Sequence, residues 1–239
     1  MSLFLLQVPL RLPDGGPIYT ETDTSRFIVE PWNGLSAAFF LLIVVYWLSQ
    51  IRGQWRKHGF MTAALPVLAV GGVGGTIYHA FRLSRVFLLM DFLPIVILCL
   101  CASVYFFVWV TGKWWLALLM IASGLTLSGL MFQFAERGGL PASVAITVNY
   151  AIMGAFILLP IGWLLLKTHF RHGRWVGYAL GAFLLALLFR WADPQAWLPM
   201  GTHFLWHTFG AIACHCVLAY VFWLNEDPEM LSAKRSSTS

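Results

Sequence analysis

The chain has 239 residues, of which 59% are hydrophobic and only 10% charged, with a mean hydropathy of +0.76. A soluble domain carries about 25% charged residues, so a water-exposed globular fold is excluded and a polytopic membrane protein is expected. The net charge of +5 is not a nucleic-acid footprint, because Lys and Arg sit in short loops between apolar runs and no aromatic–basic interleaving is present.

The opening MSLFLLQVPLRLPDGGP has a brief apolar run with no basic region before it and no small-residue cleavage site. It reads as an interfacial segment lying on the bilayer rather than a signal peptide. Residues 1–33 are turn-rich and carry Asp14, Glu21, Asp23 and Glu30. Apolar runs then predict seven membrane spans, at about 34–50, 60–81, 86–110, 114–134, from the turn at 136–141 to 166, 175–191 and 200–224. The expected organisation is an N-terminal segment (1–33), a seven-helix transmembrane domain (34–224) and a polar tail (225–239).

Orientation follows from the loops. Arg52, Arg56, Lys57, Lys113, Lys167, Arg171, Arg174, Lys234 and Arg235 fall on one side. They outnumber Arg11, Arg26, Arg82, Arg85, Arg137 and Arg190 on the other. The positive-inside rule therefore places the N-terminus outside and the C-terminus in the cytosol. Arg190 has a functional reading beside the topogenic one. Cys99, Cys101, Cys214 and Cys216 all lie in apolar runs and read as core filler. The Cys214-His215-Cys216 triplet is rejected as a metal site, because neighbours on a helix point in different directions.

Several polar groups share one depth. His79 ends the second span, Asp91 opens the third, Arg190 and Asp193 close the sixth, and His203 and His207 open the seventh. Span parity puts all of them on the side of Glu30 and Asn33, just ahead of the first span. His203 and His207 stand four apart, on one helical face. A single histidine at a helix mouth is more often interfacial than a ligand, and the His-x-x-x-His pair alone divides evenly between metal and packing. The match in depth with His79 and Asp91 favours a metal.

Three imidazoles suit zinc with a fourth position open, the pattern of catalytic sites. Asp91 is the expected proton acceptor beside it. His58, His169 and His172 in basic loops, and His215 two turns deeper than His207, are assigned no ligand role.

At these residues the chain resembles the alkaline ceramidase family, in wording closest to its bacterial members. That family belongs to a superfamily of seven-transmembrane hydrolases that includes the adiponectin and progestin receptors. The resemblance is carried by EPWNGLS (30–36), YHAF (78–81) with DFLPI (91–95), FRWAD (189–193) and GTHFLWH (201–207). It implies zinc held by His79, His203 and His207, with Asp91 near the metal-bound water. The implied reaction is hydrolysis of a lipid amide such as ceramide, to a long-chain base and a fatty acid.

Calcium is also implied, with Glu21 and Glu30 as ligands and Asp23 nearby, although Pro17 and Tyr19 fall where oxygen ligands are expected. A serine is usual four residues before the histidine of the second span, and here that residue is Gly75. Thr76 carries a hydroxyl, but one residue is about 100° of helix rotation. Gly71 and Gly75 also fit a small-xxx-small packing stripe. Asn33, Arg190 and Asp193 are supporting candidates, and Trp206 reads as a packing or interfacial ring.

The leading expectation is thus a zinc-dependent hydrolase of an N-acyl lipid in a bacterial inner membrane. The only expected partner is a membrane lipid, with no nucleic acid. The alternative is a lipid sensor of the adiponectin-receptor type with structural zinc. A transporter is disfavoured because neither a repeat nor paired broken helices is evident.

Overall fold

The computed structural model describes residue 12, residues 14–139 and residues 142–231. Most of the expected interfacial segment, Pro141 in the expected turn, and Lys234 and Arg235 in the tail lie outside the described residues. The elements are α1 (Pro31–Ala37), α2 (Phe39–Gln50), α3 (Gly59–Phe81), α4 (Arg85–Thr111), α5 (Trp114–Glu136), α6 (Ala142–Lys167), α7 (Gly173–Ala192), a 3-10 turn (Asp193–Gln195) and α8 (His203–Glu226). No strand occurs among the described residues. The helix bounds fall within one turn of the expected spans.

Among the described residues, six helices are long and apolar enough to cross a membrane: Pro31–Gln50, Gly59–Phe81, Arg85–Thr111, Trp114–Ala135, Gly173–Gln195 and His203–Glu226. Such segments stay helical in lipid because a helix satisfies its own backbone groups where no water can. Their outward faces carry Leu42, Val45, Leu130 and Leu184. That apolar exterior is what a lipid solvent requires.

The first span is not one uninterrupted helix. Pro31 starts α1, a position where the missing N–H costs nothing, and the helix breaks at Ala38. The Ala38 N–H is shared between the carbonyls of Gly34 (3.3 Å) and Leu35 (3.2 Å). Pro66, Pro94 and Pro160 lie inside α3, α4 and α6.

α3 and α4 approach closely through glycines. A Cβ on Gly71 would lie 3.2 Å from Pro94 Cβ, and one on Gly74 would collide with Met90. Backbone approach of this kind is the packing mode of membrane helices with small residues at the contact. α8 packs along α7 and also touches α1, α2 and α3.

The main apolar core lies away from the polar residues of the N-terminal side. It includes Trp47, Met61, Phe106, Trp109, Tyr220 and Leu224. Cys216 is buried, and Cys99 and Cys214 are half-buried, as filler should be. Cys101 is exposed, so the core reading is corrected there: its side chain lies on the outer surface of the bundle.

Candidate metal centre

The end of α3 and the first turns of α8 bring His79, His203 and His207 together. Their ligating nitrogens all lie within 4.8 Å of one another. Ring centroids are 4.7 Å apart for His79–His207, 4.7 Å for His203–His207 and 5.4 Å for His79–His203. The three residues are 0%, 2% and 4% exposed respectively for His79, His203 and His207. Tetrahedral zinc with bonds near 2.1 Å needs its ligand nitrogens about 3.4 Å apart, so only a small closing of the rings separates this arrangement from a coordination shell.

Hydrogen bonds on the far side aim two of the rings. His79 Nδ1 lies 2.6 Å from Glu30 Oε2, and both residues are fully buried. With the Nδ1 proton given to the carboxylate, Nε2 is left facing the other histidines. That Nε2 is buried and makes no hydrogen bond among the described residues. His207 Nδ1 donates to the Asn33 carbonyl at 3.1 Å, with Ser36 Oγ also at 3.1 Å. A carbonyl only accepts, so Nδ1 carries the proton and Nε2 is again the free nitrogen. Carboxylate and carbonyl partners behind ligating imidazoles are the usual second layer of a metal site. A buried nitrogen left without a partner costs about 1–3 kcal/mol. The donor set therefore fits a zinc-like ion.

Asp91, on α4, places Oδ2 3.8 Å from His79 Nε2, with its side chain 23% exposed. Gly75 faces it: a Cβ there would strike Asp91 Oδ1 and lie 3.3 Å from Ala37 Cβ. Thr76 does not supply the missing hydroxyl, because its Oγ1 donates to its own helix at Gly72 O, 2.7 Å away.

Asp193 organises the start of α8. Its Oδ1 accepts from the N–H groups of Thr202 (2.8 Å) and His203 (3.0 Å), which satisfies two free donors at the helix start. Its Oδ2 accepts from Thr20 N–H (3.1 Å), and the Thr20 hydroxyl donates to its carbonyl (2.6 Å). Gly201, at φ +70°, lets the chain turn tightly enough for this, since a Cβ there would lie 2.6 Å from Thr20 Cβ. Tyr19, next to Thr20, stacks on His203 with centroids 3.8 Å apart and a 22° tilt. Arg190 lies over the Trp206 ring at 5.1 Å.

The three acidic residues expected to hold calcium do not form a common donor set among the described residues. Glu21 accepts from the N–H groups of Trp32 (2.6 Å) and Asn33 (2.9 Å), capping α1 from a distance. Burial pushes its carboxyl up despite those two donors. Asp23 pairs at the surface with Ser25 (2.6 Å) and Arg26 (2.8 Å).

Glu30 is taken by His79, Thr22 (2.6 Å), Asn33 (3.2 Å) and Arg82 (2.6 Å). Burial pushes Glu30 up, but the bonds from His79, Thr22 and Arg82 outweigh it and hold the carboxyl below the usual range.

Three residues here escaped the sequence reading as contributors: Arg82, Asp14, and Tyr19 as a ring partner. Arg82 offered one signal, since it follows His79 by three residues and so shares its helical face. Histidines elsewhere have other neighbours. His58 bonds Glu226 at 2.9 Å, His172 bonds Asp227 at 2.8 Å, and His215 packs among Tyr46, Trp47 and Trp175. Comparisons with protein-family models, curated proteins and solved structures found no match to this chain.

Proposed function

We propose that the protein is a zinc-dependent intramembrane hydrolase that cleaves the amide of a ceramide-like N-acyl lipid. The reading is carried by one observation: three buried imidazoles, two of them aimed by hydrogen bonds behind the ring, meet beside the Asp91 carboxylate. Zinc at such a site supplies Lewis acidity toward a carbonyl and a water whose pKa falls to about 7. Asp91 Oδ2 then accepts the proton of the attacking water and returns it to the leaving nitrogen. Amide and water become a protonated amine and a carboxylate. Tyr19 stacks on His203 and shields that imidazole from bulk water.

In this reading α6 is a seventh span, the N-terminus is extracytosolic, the C-terminus is cytosolic and the host membrane is a bacterial inner membrane. The apolar length of α6 and the Lys/Arg bias of the loops support it. The site then opens near the extracytosolic face, where a lipid headgroup and water meet.

The test is mass spectrometry of lipids after incubating the purified protein with mixed N-acyl lipids, with and without a zinc chelator. The expected result is paired release of a long-chain amine and a fatty acid, abolished by the chelator and by Asp91→Asn. Product that persists with the chelator contradicts the metal mechanism. Bound zinc with no product from any N-acyl lipid favours the sensor reading instead.

A further inference from the structure

Arg82 lies just beyond α3, and its side chain is 3% exposed. Its Nε donates to Asp14 Oδ2 (2.6 Å) and its Nη2 to Asp14 Oδ1 (3.0 Å). Its Nη1 donates both to the Pro17 carbonyl (3.0 Å) and to Glu30 Oε1 (2.6 Å). The guanidinium also sits 4.7 Å from the centre of the Tyr78 ring. Two carboxylates and a carbonyl form an oxygen-only cage, the donor type that hard cations such as calcium take.

Two features show what holding an arginine there entails. Arg82 adopts a left-handed backbone, φ +50° and ψ 38°, which is unfavourable for a residue with a Cβ. Gly16 lies so close to the Tyr78 hydroxyl that any Cβ would collide with it. The chain bends over Tyr78 to reach the guanidinium, and Asp14 steadies the bend by accepting from Gly16 N–H at 2.8 Å.

The cage is coupled to the histidines through Glu30. One oxygen of that carboxylate takes Arg82 and the other takes His79. Val29, beside it, donates its N–H to the Ala80 carbonyl at 2.8 Å. Asp14, Pro17, Val29 and Glu30 thus tie segment 14–30 to the end of α3, three of them through Arg82.

We propose that Arg82 is the resident cation of this cage: a positioning residue that fixes Glu30, and through it His79, and latches segment 14–30 over the histidines without calcium. Its His79 step rests on the metal-centre reading above. A calcium ion at the same place would meet the guanidinium's own charge and oxygens that already accept hydrogen bonds. The bidentate fork on Asp14 is a fixed geometry that a hydrated ion does not reproduce.

The experiment uses the full-length protein in detergent and two readouts. One is Co²⁺ titration followed by the visible spectrum, and the other is thermal unfolding with and without added CaCl₂. In the wild type, Co²⁺ is expected to bind, and calcium is expected to change neither spectrum nor melting temperature. Arg82→Gln is expected to weaken Co²⁺ binding by about 10–100-fold, the usual cost of losing an outer partner of a ligand, and to shift the spectrum, with Arg82→Lys restoring part of both. If Arg82→Gln does not fold, Asp14→Asn, which removes charge from the far side of the cage, is expected to move Co²⁺ binding the same way by less.

Unchanged Co²⁺ affinity and spectrum in these variants would overturn the proposal, as would stabilisation of the wild type by calcium. A wild type that binds no Co²⁺ contradicts the metal-centre reading itself, and the His79 step falls with it.

Discussion

Gly75 and Asp91 share one small volume at the crossing of α3 and α4. A Cβ on Gly75 would fall against Asp91 Oδ1, so the carboxylate occupies the space a side chain would need. That space places Asp91 Oδ2 3.8 Å from His79 Nε2. Glycine at this position therefore acts through what it leaves out. Gly75→Ala is expected to lower turnover by about 100-fold, the scale of an ångström misplacement of a catalytic group, with metal content unchanged. Alanine favours the helix more than glycine does, so loss of helicity is not the cause. Turnover like the wild type would show that the Asp91 position is not critical.

Thr76 gives the opposite prediction. Its hydroxyl is spent on Gly72 O, a bond within its own helix that contributes little to stability. Thr76→Val should leave turnover within about threefold of the wild type, the scale of a substitution with no special contact. A loss of a hundredfold would mean that the hydroxyl turns toward the substrate.

Asp193 joins segment 14–30 to the start of α8 through four hydrogen bonds. Asp193→Ala leaves two buried N–H donors of α8 without an acceptor, at about 1–3 kcal/mol. Asp193→Asn keeps one oxygen and so should cost less. Thermal unfolding measures both, and metal affinity should fall in the same order, because His203 lies on the turn that Asp193 holds. Equal effects of Ala and Asn would contradict this account.

At the far end of α8, Asp227 accepts from Arg171 Nε (2.5 Å), His172 Nε2 (2.8 Å) and Glu229 N–H (2.9 Å). The Arg171 hydrogen bond is the main cause that holds its carboxyl at about 2. A folded value below the ordinary 3.8 stabilises the fold above that ordinary value and ceases to do so as pH falls through about 2. The melting-temperature difference between wild type and Arg171→Ala should therefore be steady down to about pH 4 and shrink below it. A difference that grows on acidification would contradict the assignment.

The helices and the three histidines were legible because both follow from rules of position. Apolar length marks each helix, and span parity alone puts His79, His203 and His207 at one depth. Partners were not legible. The resemblance implied Glu21 and Glu30 as calcium ligands, and the sequence does not show which groups these carboxylates meet. The helix start at Trp32 takes one, and Arg82 with His79 takes the other.

Arg82 itself read as a loop charge that sets topology, since a buried and a solvated arginine look alike in sequence. The break at Ala38 left no signal, because a split hydrogen bond needs neither proline nor glycine. Gly75 read equally well as packing or as a lost hydroxyl, and only the position of Asp91 distinguishes a third role.

The central claim is that His79, His203 and His207 together hold a metal. Its most direct test is the metal content of the detergent-purified protein, measured by mass spectrometry for the wild type, His79→Ala and His207→Ala. The account predicts about one zinc per wild-type chain, as three imidazoles with an open fourth position would hold, and loss of that zinc in both variants with the chain still folded. A wild type without transition metal, or zinc retained in both folded variants, would contradict it.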